Sequence, residues 1–175
     1  MNDITGSGWT TLGSFGSNTN QFIGPSGIFV DATGKIYVSD GSNGRIVRVD
    51  DMNGSGWTTL GTIGSGVNQF DDPTGIFVDS AGKIYVADFV NNRIVRVDGM
   101  SGANWTTLGT YGSGIYQFFN PSGIFVNTAG KIYVADYGNG RIVRMDDMTG
   151  TGWITFGTWG NGVNQFAAPS DLLIR

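Results

Sequence analysis

The sequence contains no histidine, no cysteine and no glutamate among its 175 residues. Without cysteine the chain has no disulfide, no thiolate zinc site and no thiol nucleophile. Cysteine usage therefore does not indicate whether the protein works in an oxidising or a reducing compartment. Without histidine and glutamate the most common general acids and bases are missing, so proton transfer would depend on Asp, Lys or Tyr. We therefore expect a protein that is not an enzyme and that needs no cofactor and no metal.

Long apolar runs and an excess of positive charge are also lacking. No apolar stretch approaches the ~18 residues that a membrane-spanning helix requires, and no basic segment followed by an apolar one begins the chain. The net charge of -4 provides no basic patch for a phosphate backbone. Neither a membrane nor a nucleic acid is an expected partner, and the cellular location stays open.

Glycine, in contrast, is abundant, with 30 glycines against four prolines. The glycines recur at fixed places between apolar segments and show no Gly-X-Y period, which indicates turns rather than collagen or a flexible linker. A hydrophobic content of 39%, of which aromatic residues make a large part, suffices for a packed core. The composition predicts an ordered domain that is rich in turns.

A unit of 48 residues repeats along the chain without insertion or deletion. The repeated tryptophans are Trp9, Trp57, Trp105 and Trp153, and each is followed by a glutamine and a proline at constant spacing. The single domain 1–175 thus divides into copies 1–50, 51–98 and 99–146 and a partial copy 147–175. Such strict periodicity predicts a repeat architecture.

Each copy contains four short segments that are typical of strands, at 57–60, 75–78, 83–87 and 93–97 in the second copy. No segment has a helical period, so the fold class is all-β. Four antiparallel strands per repeat predict the blade of a β-propeller, and burial of both sheet faces explains the continuous apolar run 84–87. Equal repeat lengths disfavour a β-sandwich, and a β-solenoid is the alternative.

The segments 69–79, 82–88 and 91–94 read QFDDPTGIFVD, GKIYVAD and NNRI. They resemble the signature of NHL repeats, and all three full copies carry the pattern. The resemblance implies that the Pro-x-Gly-Ile-Phe-Val segment is the innermost strand of a blade and that the tryptophan segment is the outermost. NHL propellers bind proteins, RNA or other ligands, and some relatives are lyases or hydrolases with His and metal sites that this chain lacks.

Two features depart from the NHL pattern. The histidine after which the family is named is replaced by Gly44, Asn92 and Gly140. The fourth copy also diverges over 171–175. The WD40 alternative is disfavoured because the chain has neither its Gly-His nor its Trp-Asp dipeptide.

The strand count predicts three complete blades, an N-terminal outer strand and a C-terminal inner strand at 170–174. An open array of this kind exposes sheet edges and apolar blade faces. We therefore expect the chain to complete its ring by self-association, with a homodimer of seven or eight blades favoured. A fragment of a longer propeller, or an amplified or engineered chain without a natural ligand, are alternatives.

The copies differ mainly in the connection ahead of the first strand and in the turn after the second strand. In an up-and-down blade these two connections lie at the same end of the sheet, so the differences share one face. Loops that vary on a rigid scaffold are typical of binding, although neutral drift gives the same pattern. The candidate anchors for a protein or peptide are Phe89, Tyr111, Tyr116, Phe119, Tyr137 and Trp159.

An Asp-x-x-Asn-x-Arg motif follows the second strand of each blade. Its members are Asp40, Asn43 and Arg45, Asp88, Asn91 and Arg93, and Asp136, Asn139 and Arg141. The carboxylate is expected to accept turn amides and to pair with the arginine, which fixes the loop. A ring of arginines that captures an anionic ligand is the alternative.

Two further sets of repeated residues each have two interpretations. The repeated Trp9, Trp57, Trp105 and Trp153 either pack between blades or stack on sugar rings, which makes a carbohydrate-binding propeller the alternative function. Asp31 and Asp79 either hold the turn after the first strand or contribute to a calcium site, and Asn127 at the third position disfavours a symmetric metal site.

Overall fold

The computed structural model describes residues 8–172, and nearly all of its regular structure is strand. It contains three four-stranded antiparallel sheets, in each of which consecutive strands are neighbours. The first blade comprises Pro25–Val30, Ile36–Asp40, Arg45–Val49 and Thr58–Leu60. The second comprises Pro73–Val78, Lys83–Asp88, Arg93–Asp98 and Ala103–Leu108. The third comprises Pro121–Val126, Ile132–Asp136, Arg141–Met145 and Ile154–Phe156.

The four strands predicted in the second copy agree with the observed ones to within two residues at each end. The first of them, at 57–60, is the outer strand Thr58–Leu60 of the first blade, and the other three belong to the second blade. Between its first two strands, the Asp79 amide donates to the Lys83 carbonyl oxygen at 3.0 Å, and Gly82 adopts a φ of +79°. Only glycine takes such a conformation without steric cost, which explains why a glycine recurs there. The turn therefore follows directly from the local sequence.

Linkers between the blades contain a feature that the sequence did not predict, a short parallel ladder. The four ladders pair Ser14–Phe15 with Gln21–Phe22, Thr62–Ile63 with Gln69–Phe70, Thr110–Tyr111 with Gln117–Phe118, and Thr158–Trp159 with Gln165–Phe166. In the second linker the Gln69 side-chain oxygen accepts the Gly66 amide at 2.9 Å. The repeated glutamine therefore closes each linker on itself.

The turn between the second and third strands is a 3-10 turn in the first and third blades, at Gly41–Asn43 and Tyr137–Asn139. The residue after each turn, Gly44 or Gly140, has a φ of 60°. This is the position at which the sequence departs from the pattern that it resembles. Asn92 occupies it in the second blade with a φ of 55°, and asparagine is among the residues that tolerate this conformation.

The core lies between neighbouring blades. Tyr85 and Ile94 of the second blade pack against Phe118, Ile124 and Val126 of the next linker and blade. An equivalent cluster joins the first and second blades. Both faces of the second blade are therefore covered, which agrees with its continuous apolar strand.

The first strands of the three blades lie side by side around a common cavity of about 410 Å³. A Cβ atom added to Gly27 would collide with the Thr74 carbonyl oxygen of the next blade, so these strands approach too closely for a side chain. Ser26 donates from its hydroxyl to the Pro73 carbonyl oxygen at 2.8 Å across the same gap. The first strand is thus the innermost one.

The two ends of the array differ from the prediction. Residues 8–13 form no outer strand, because an outer strand pairs with the third strand of its blade and residues 8–172 supply no such partner for them. Residues 169–172 follow the path of an inner strand without forming a ladder, and 173–174 lie outside the described residues. Within residues 8–172 the blades form an open array.

The same residues include no helix with the length and hydropathy of a membrane span.

Candidate binding face

The turn after the second strand and the linker ahead of the first strand meet at one end of each blade. Ser42 donates its amide to the Ile23 carbonyl oxygen at 3.0 Å, and Val90 donates to Asp71 at 3.1 Å in the second blade. Gly138 makes the same contact with Phe119 at 2.7 Å in the third. We call this end, with residues 13–24, 41–44, 61–72, 89–92, 109–120 and 137–140, the loop face.

A buried carboxylate anchors the loop face in every blade. In the second blade the Asp88 side chain is fully buried, and its Oδ2 accepts Arg93 Nε at 2.7 Å and Asn91 Nδ2 at 2.9 Å. Its Oδ1 accepts the Asp71 amide at 2.8 Å. The carboxylate therefore holds the turn and the linker together.

The arginine continues this network into the linker. Arg93 donates to the carbonyl oxygens of Ser65 and Gln69 at 2.7 and 2.9 Å, and its guanidinium lies 5.9 Å from the Trp105 ring centre. The first and third blades repeat the contacts through Asp40, Asn43 and Arg45 and through Asp136, Asn139 and Arg141. Because these donors are engaged within the chain, the geometry favours the structural role of the motif over a ring that captures anions.

Burial dominates the electrostatics of this network. It raises the pKa of Asp88 and of Asp136, because the charged form loses its hydration. Hydrogen bonds from the asparagine and arginine of each motif act in the opposite direction. The buried carboxylate of Asp88 is tolerated because both of its oxygens accept hydrogen bonds.

Four of the six candidate anchors lie close together on the loop face. Phe89 and Tyr137 are in edge contact with ring centres 6.0 Å apart, and Tyr111 and Phe119 are in edge contact at 5.3 Å. The Gly138 hydrogen bond to Phe119 connects the two pairs. We call these four side chains the aromatic cluster.

A shallow groove of about 250 Å³ borders the aromatic cluster. It is lined by Tyr111, Gly112, Ser113, Phe119 and Asn139. Tyr111 is 68% exposed, whereas Phe119 and Tyr137 are each 38% exposed. The cluster therefore offers apolar surface to solvent although its rings are held by each other.

The other two candidate anchors lie apart from the aromatic cluster. Tyr116 packs edge-on against Trp153 at 5.6 Å, near the outer strand of the third blade. Its φ is 58°, a conformation that asparagine adopts in the other three copies. Trp159 is 58% exposed and lies beside Gly140 at the end of the array.

Acidic side chains accompany the loop face at the second linker. Burial raises the pKa of Asp72, and the charge of the neighbouring Asp71 raises it further. Asp72 faces Gly41 of the first blade, where an added Cβ would collide with its carboxylate. The second linker thus places negative charge between the first two blades.

The repeated tryptophans of the blades are half-buried. Trp57, Trp105 and Trp153 pack against Phe22, Phe70 and Phe118 with ring centres 5.1 to 5.2 Å apart. Trp9 is 80% exposed and lies ahead of the first blade. Much of each blade tryptophan is therefore used in packing inside the chain.

The aspartates at the opposite end of the sheets hold their turns. Asp31 Oδ1 accepts the amides of Thr33 and Lys35 at 2.8 and 3.1 Å, and Asn127 accepts the equivalent amides of the third blade. The Thr33 hydroxyl also donates to Asp31 Oδ1, at 2.7 Å. This hydrogen bond lowers the pKa of Asp31 most strongly, and the two amide hydrogen bonds lower it further. No three acidic side chains among residues 8–172 are grouped so that they could hold a metal ion.

A family model described as NHL repeat matches residues 70–97 and 118–145. These two segments are NHL repeats. The two matches run from the last residue of a linker ladder into the third strand of the blade, so they include the buried aspartate and its arginine. The resemblance found in the sequence is confirmed.

The whole chain is also similar in fold to solved propeller structures. A streptogramin B lyase matches with a TM-score of 0.62 at 18% identity, over 85% of this chain and 44% of that one. A catalytically inactive virginiamycin B lyase from Staphylococcus aureus, solved with quinupristin, gives 0.60 at 19% identity, over 88% and 46%. A nidogen/laminin complex gives 0.59 at 26% identity, over 75% and 47%.

These similarities confirm the all-β propeller fold and leave the activity open. This chain spans less than half the length of each of these structures. No curated protein sequence matches it. What the lyases act on, and what nidogen contacts, are properties of those proteins.

Sequence reasoning missed the residues that shape the linkers. The repeated Gln21, Gln69, Gln117 and Gln165 cap the linker amides through their side-chain oxygens. Their exact recurrence every 48 residues was the available signal.

Proposed function

We propose that the chain is a non-catalytic binding module that presents its loop face to a protein or peptide ligand. The aromatic cluster is the observation that carries the proposal. Its side chains come from two turns and one linker, and three of them are more than one third exposed. Exposed aromatic residues on a fixed scaffold are the residues that most often dominate binding energy.

Rigidity of the loop face supports the same proposal. Each turn and its linker are joined by the buried aspartate, asparagine and arginine, so little conformational freedom is left for a ligand to remove. Binding to an ordered surface loses less entropy than binding to a mobile loop. The scaffold thus suits recognition rather than a large closing motion.

The chemistry near the aromatic cluster supports a role without catalysis. Asp88 and Asp136 are fully buried and engaged in hydrogen bonds with their asparagine and arginine partners. A general acid or base must reach the proton that it transfers. These carboxylates face the interior, and the exposed groups of the cluster are aromatic.

We further propose that two copies complete a ring as a homodimer. The support is the open array within residues 8–172, which leaves an apolar blade face at each end. Cyclic association of identical chains is the most common way to cover such surfaces. The peptide-binding role does not depend on this association.

Selection from a displayed library of random short peptides tests the binding proposal. A selected peptide should bind the native chain, and Tyr111→Ala and Tyr137→Ala should each weaken its affinity by about tenfold or more, as for central aromatic anchors. Phe15→Ala is the matched control. Phe15 has the same repeat position as Tyr111 and is 81% exposed. At the repeat position of Phe119, which contacts Tyr111, the first copy has the non-aromatic Ile23.

A glycan array provides the opposing test. Sugar binding that is lost in Trp57→Ala and Trp105→Ala, with the fold intact by circular dichroism, would contradict the proposal and favour the carbohydrate-binding alternative. Equal loss of peptide affinity in Phe15→Ala and Tyr111→Ala would also contradict it. That result would show that exposed aromatic surface alone, and not the cluster, attracts the peptide.

A further inference from the structure

The internal repeat shows what covers a blade face in this protein. Between the second and third blades, Ile124 and Val126 are only 5% and 4% exposed, and they lie in one buried cluster with Tyr85 and Ile94. Ile76 and Val78 are covered by the first blade in the same way, at 7% and 5%. One chain thus contains two examples of the same interface.

The first blade carries the same inner strand without that cover. Ile28 is 69% exposed and Val30 is 54% exposed, although they share repeat positions with Ile76 and Val78. Their conformation matches as well, since Pro25–Val30 and Pro73–Val78 are both six-residue strands that pair with the second strand of their blade. The exposed face of the first blade therefore corresponds to one side of the interface that joins neighbouring blades within the chain.

The third blade presents the other half. A groove of about 370 Å³ there is lined mainly by Tyr133, Ile142, Ile154, Phe156 and Phe166. Tyr133 and Ile142 share repeat positions with Tyr85 and Ile94, the residues that receive the next blade inside the chain. Phe156 is 55% exposed, whereas Leu60 at the same position of the first blade is 5% exposed.

One residue of this groove distinguishes the third blade from the others. Ile154 is 53% exposed, and the same position is Thr58 in the first blade and Thr106 in the second. The open end therefore has more apolar surface than its internal counterparts. Exposed apolar surface that is concentrated in this way indicates a contact with another molecule.

We propose that the first blade of a second copy docks on this groove, so that its Ile28 and Val30 reach Tyr133, Ile142 and Phe156. The inference deepens, and rests on, the self-association proposed above. The two surfaces differ from each other, so the contact is head to tail, and two such contacts close a dimer. With three four-stranded blades per copy this ring has six blades, fewer than the seven or eight expected from the sequence. The occupant is a second copy because the same pairing of residues already joins the blades within one chain.

Residues 169–172 lie at the place that the incoming inner strand takes. They are held there by the Ser122 hydroxyl, which donates to the Pro169 carbonyl oxygen at 2.9 Å, and they form no ladder. Ser26 and Pro73 make the same contact at 2.8 Å between complete blades. The incoming blade brings a full sheet to this position, so we propose that it displaces the short segment.

Sedimentation measurements on single variants test this interface. For the native chain, sedimentation should give a molecular mass of twice the 18.6 kDa of one chain. Ile28→Asp and Phe156→Asp should each raise the dissociation constant by about 100-fold or more, because each places an unpaired charge in the contact. Val67→Asp is the control, since Val67 is 70% exposed but lies in the second linker, away from both ends.

Mixing the two variants tests whether the contact is head to tail. Each variant keeps one intact surface, so Ile28→Asp and Phe156→Asp should be monomers alone and should form a pair with one native contact when mixed. A symmetric contact would allow one of the two variants to dimerise alone, and that result would overturn the inference. Circular dichroism should show native folding of both, because both positions are exposed.

The outcomes separate the interface from the broader proposal. A native chain that sediments as a monomer overturns both the interface and self-association. A native dimer that neither variant weakens overturns this interface but leaves self-association standing. In either case peptide binding by the loop face is measured independently.

Discussion

The two ends of each blade use the same chemistry in opposite environments. At the loop face, Asp88 is fully buried and paired with Arg93. At the other end, which we call the hairpin end, Asp31, Asp79 and Asn127 accept turn amides in partly exposed positions. The loop face varies between copies in aromatic and acidic residues, whereas the hairpin-end turns 31–35, 79–83 and 127–131 change only among small or isosteric ones. Variation is therefore concentrated where a buried network keeps the backbone in place.

The largest expected effect comes from removing the buried carboxylate. Asp88→Ala should lower the free energy of unfolding by about 3–5 kcal/mol, because it leaves Arg93 and Asn91 without their partner. Asp79→Ala, in the same sheet but at the hairpin end, should cost about 1 kcal/mol, as for one or two exposed hydrogen bonds. Urea denaturation measures both. Equal losses would show that the two ends do not differ in the way described.

A second comparison uses two arginines of one strand. Arg93→Lys should cost about 2 kcal/mol, because lysine cannot reproduce the fork that joins Asp88 to the linker carbonyl oxygens. Arg96→Lys should cost less than about 0.5 kcal/mol, since Arg96 makes a single 3.4 Å contact with the partly exposed Asp98. The ratio of the two losses, measured by denaturation, sharpens the comparison. A larger loss for Arg96→Lys would contradict it.

The smallest expected effect is a difference in pKa between Asp31 at the hairpin end and Asp88 at the loop face. Hydrogen bonds lower the pKa of Asp31, so its contribution to stability is present above the unfolded value of 3.8 and is lost as the pH falls through its folded pKa. Burial raises the pKa of Asp88, so the folded chain takes up this proton first and the Asp88 contribution grows as the pH falls toward 3.8. Carboxyl-carbon NMR should show Asp88 titrating at higher pH than Asp31. The reverse order would contradict the assigned environments.

Much of the fold was predictable because the repeat fixes the register. The period of 48 residues, the turn glycines and the apolar runs predicted the second blade almost strand by strand. The parallel ladders of the linkers were not predictable, because two-residue pairs have no sequence period of their own. Only the recurring glutamine indicated that the linkers are ordered.

The candidate site was predictable in part. The meander predicted that Phe89, Tyr111, Phe119 and Tyr137 share one face, since it fixes which connections lie at the same end of a sheet. It did not separate Tyr116, which packs on Trp153, because the path of the linker along the outer strand depends on tertiary contacts. The buried environment of Asp88 likewise depends on the linker that covers it.

The location of a bound peptide tests the central claim most directly. Amide chemical shifts should be mapped on the native chain during titration with a peptide selected from the library. We predict that the largest changes fall on residues 89–92, 109–120 and 137–140, with none on the hairpin-end turns at 31–35, 79–83 and 127–131. Changes concentrated at the hairpin end, or along Trp57 and Trp105, would contradict the assignment of the loop face as the binding surface.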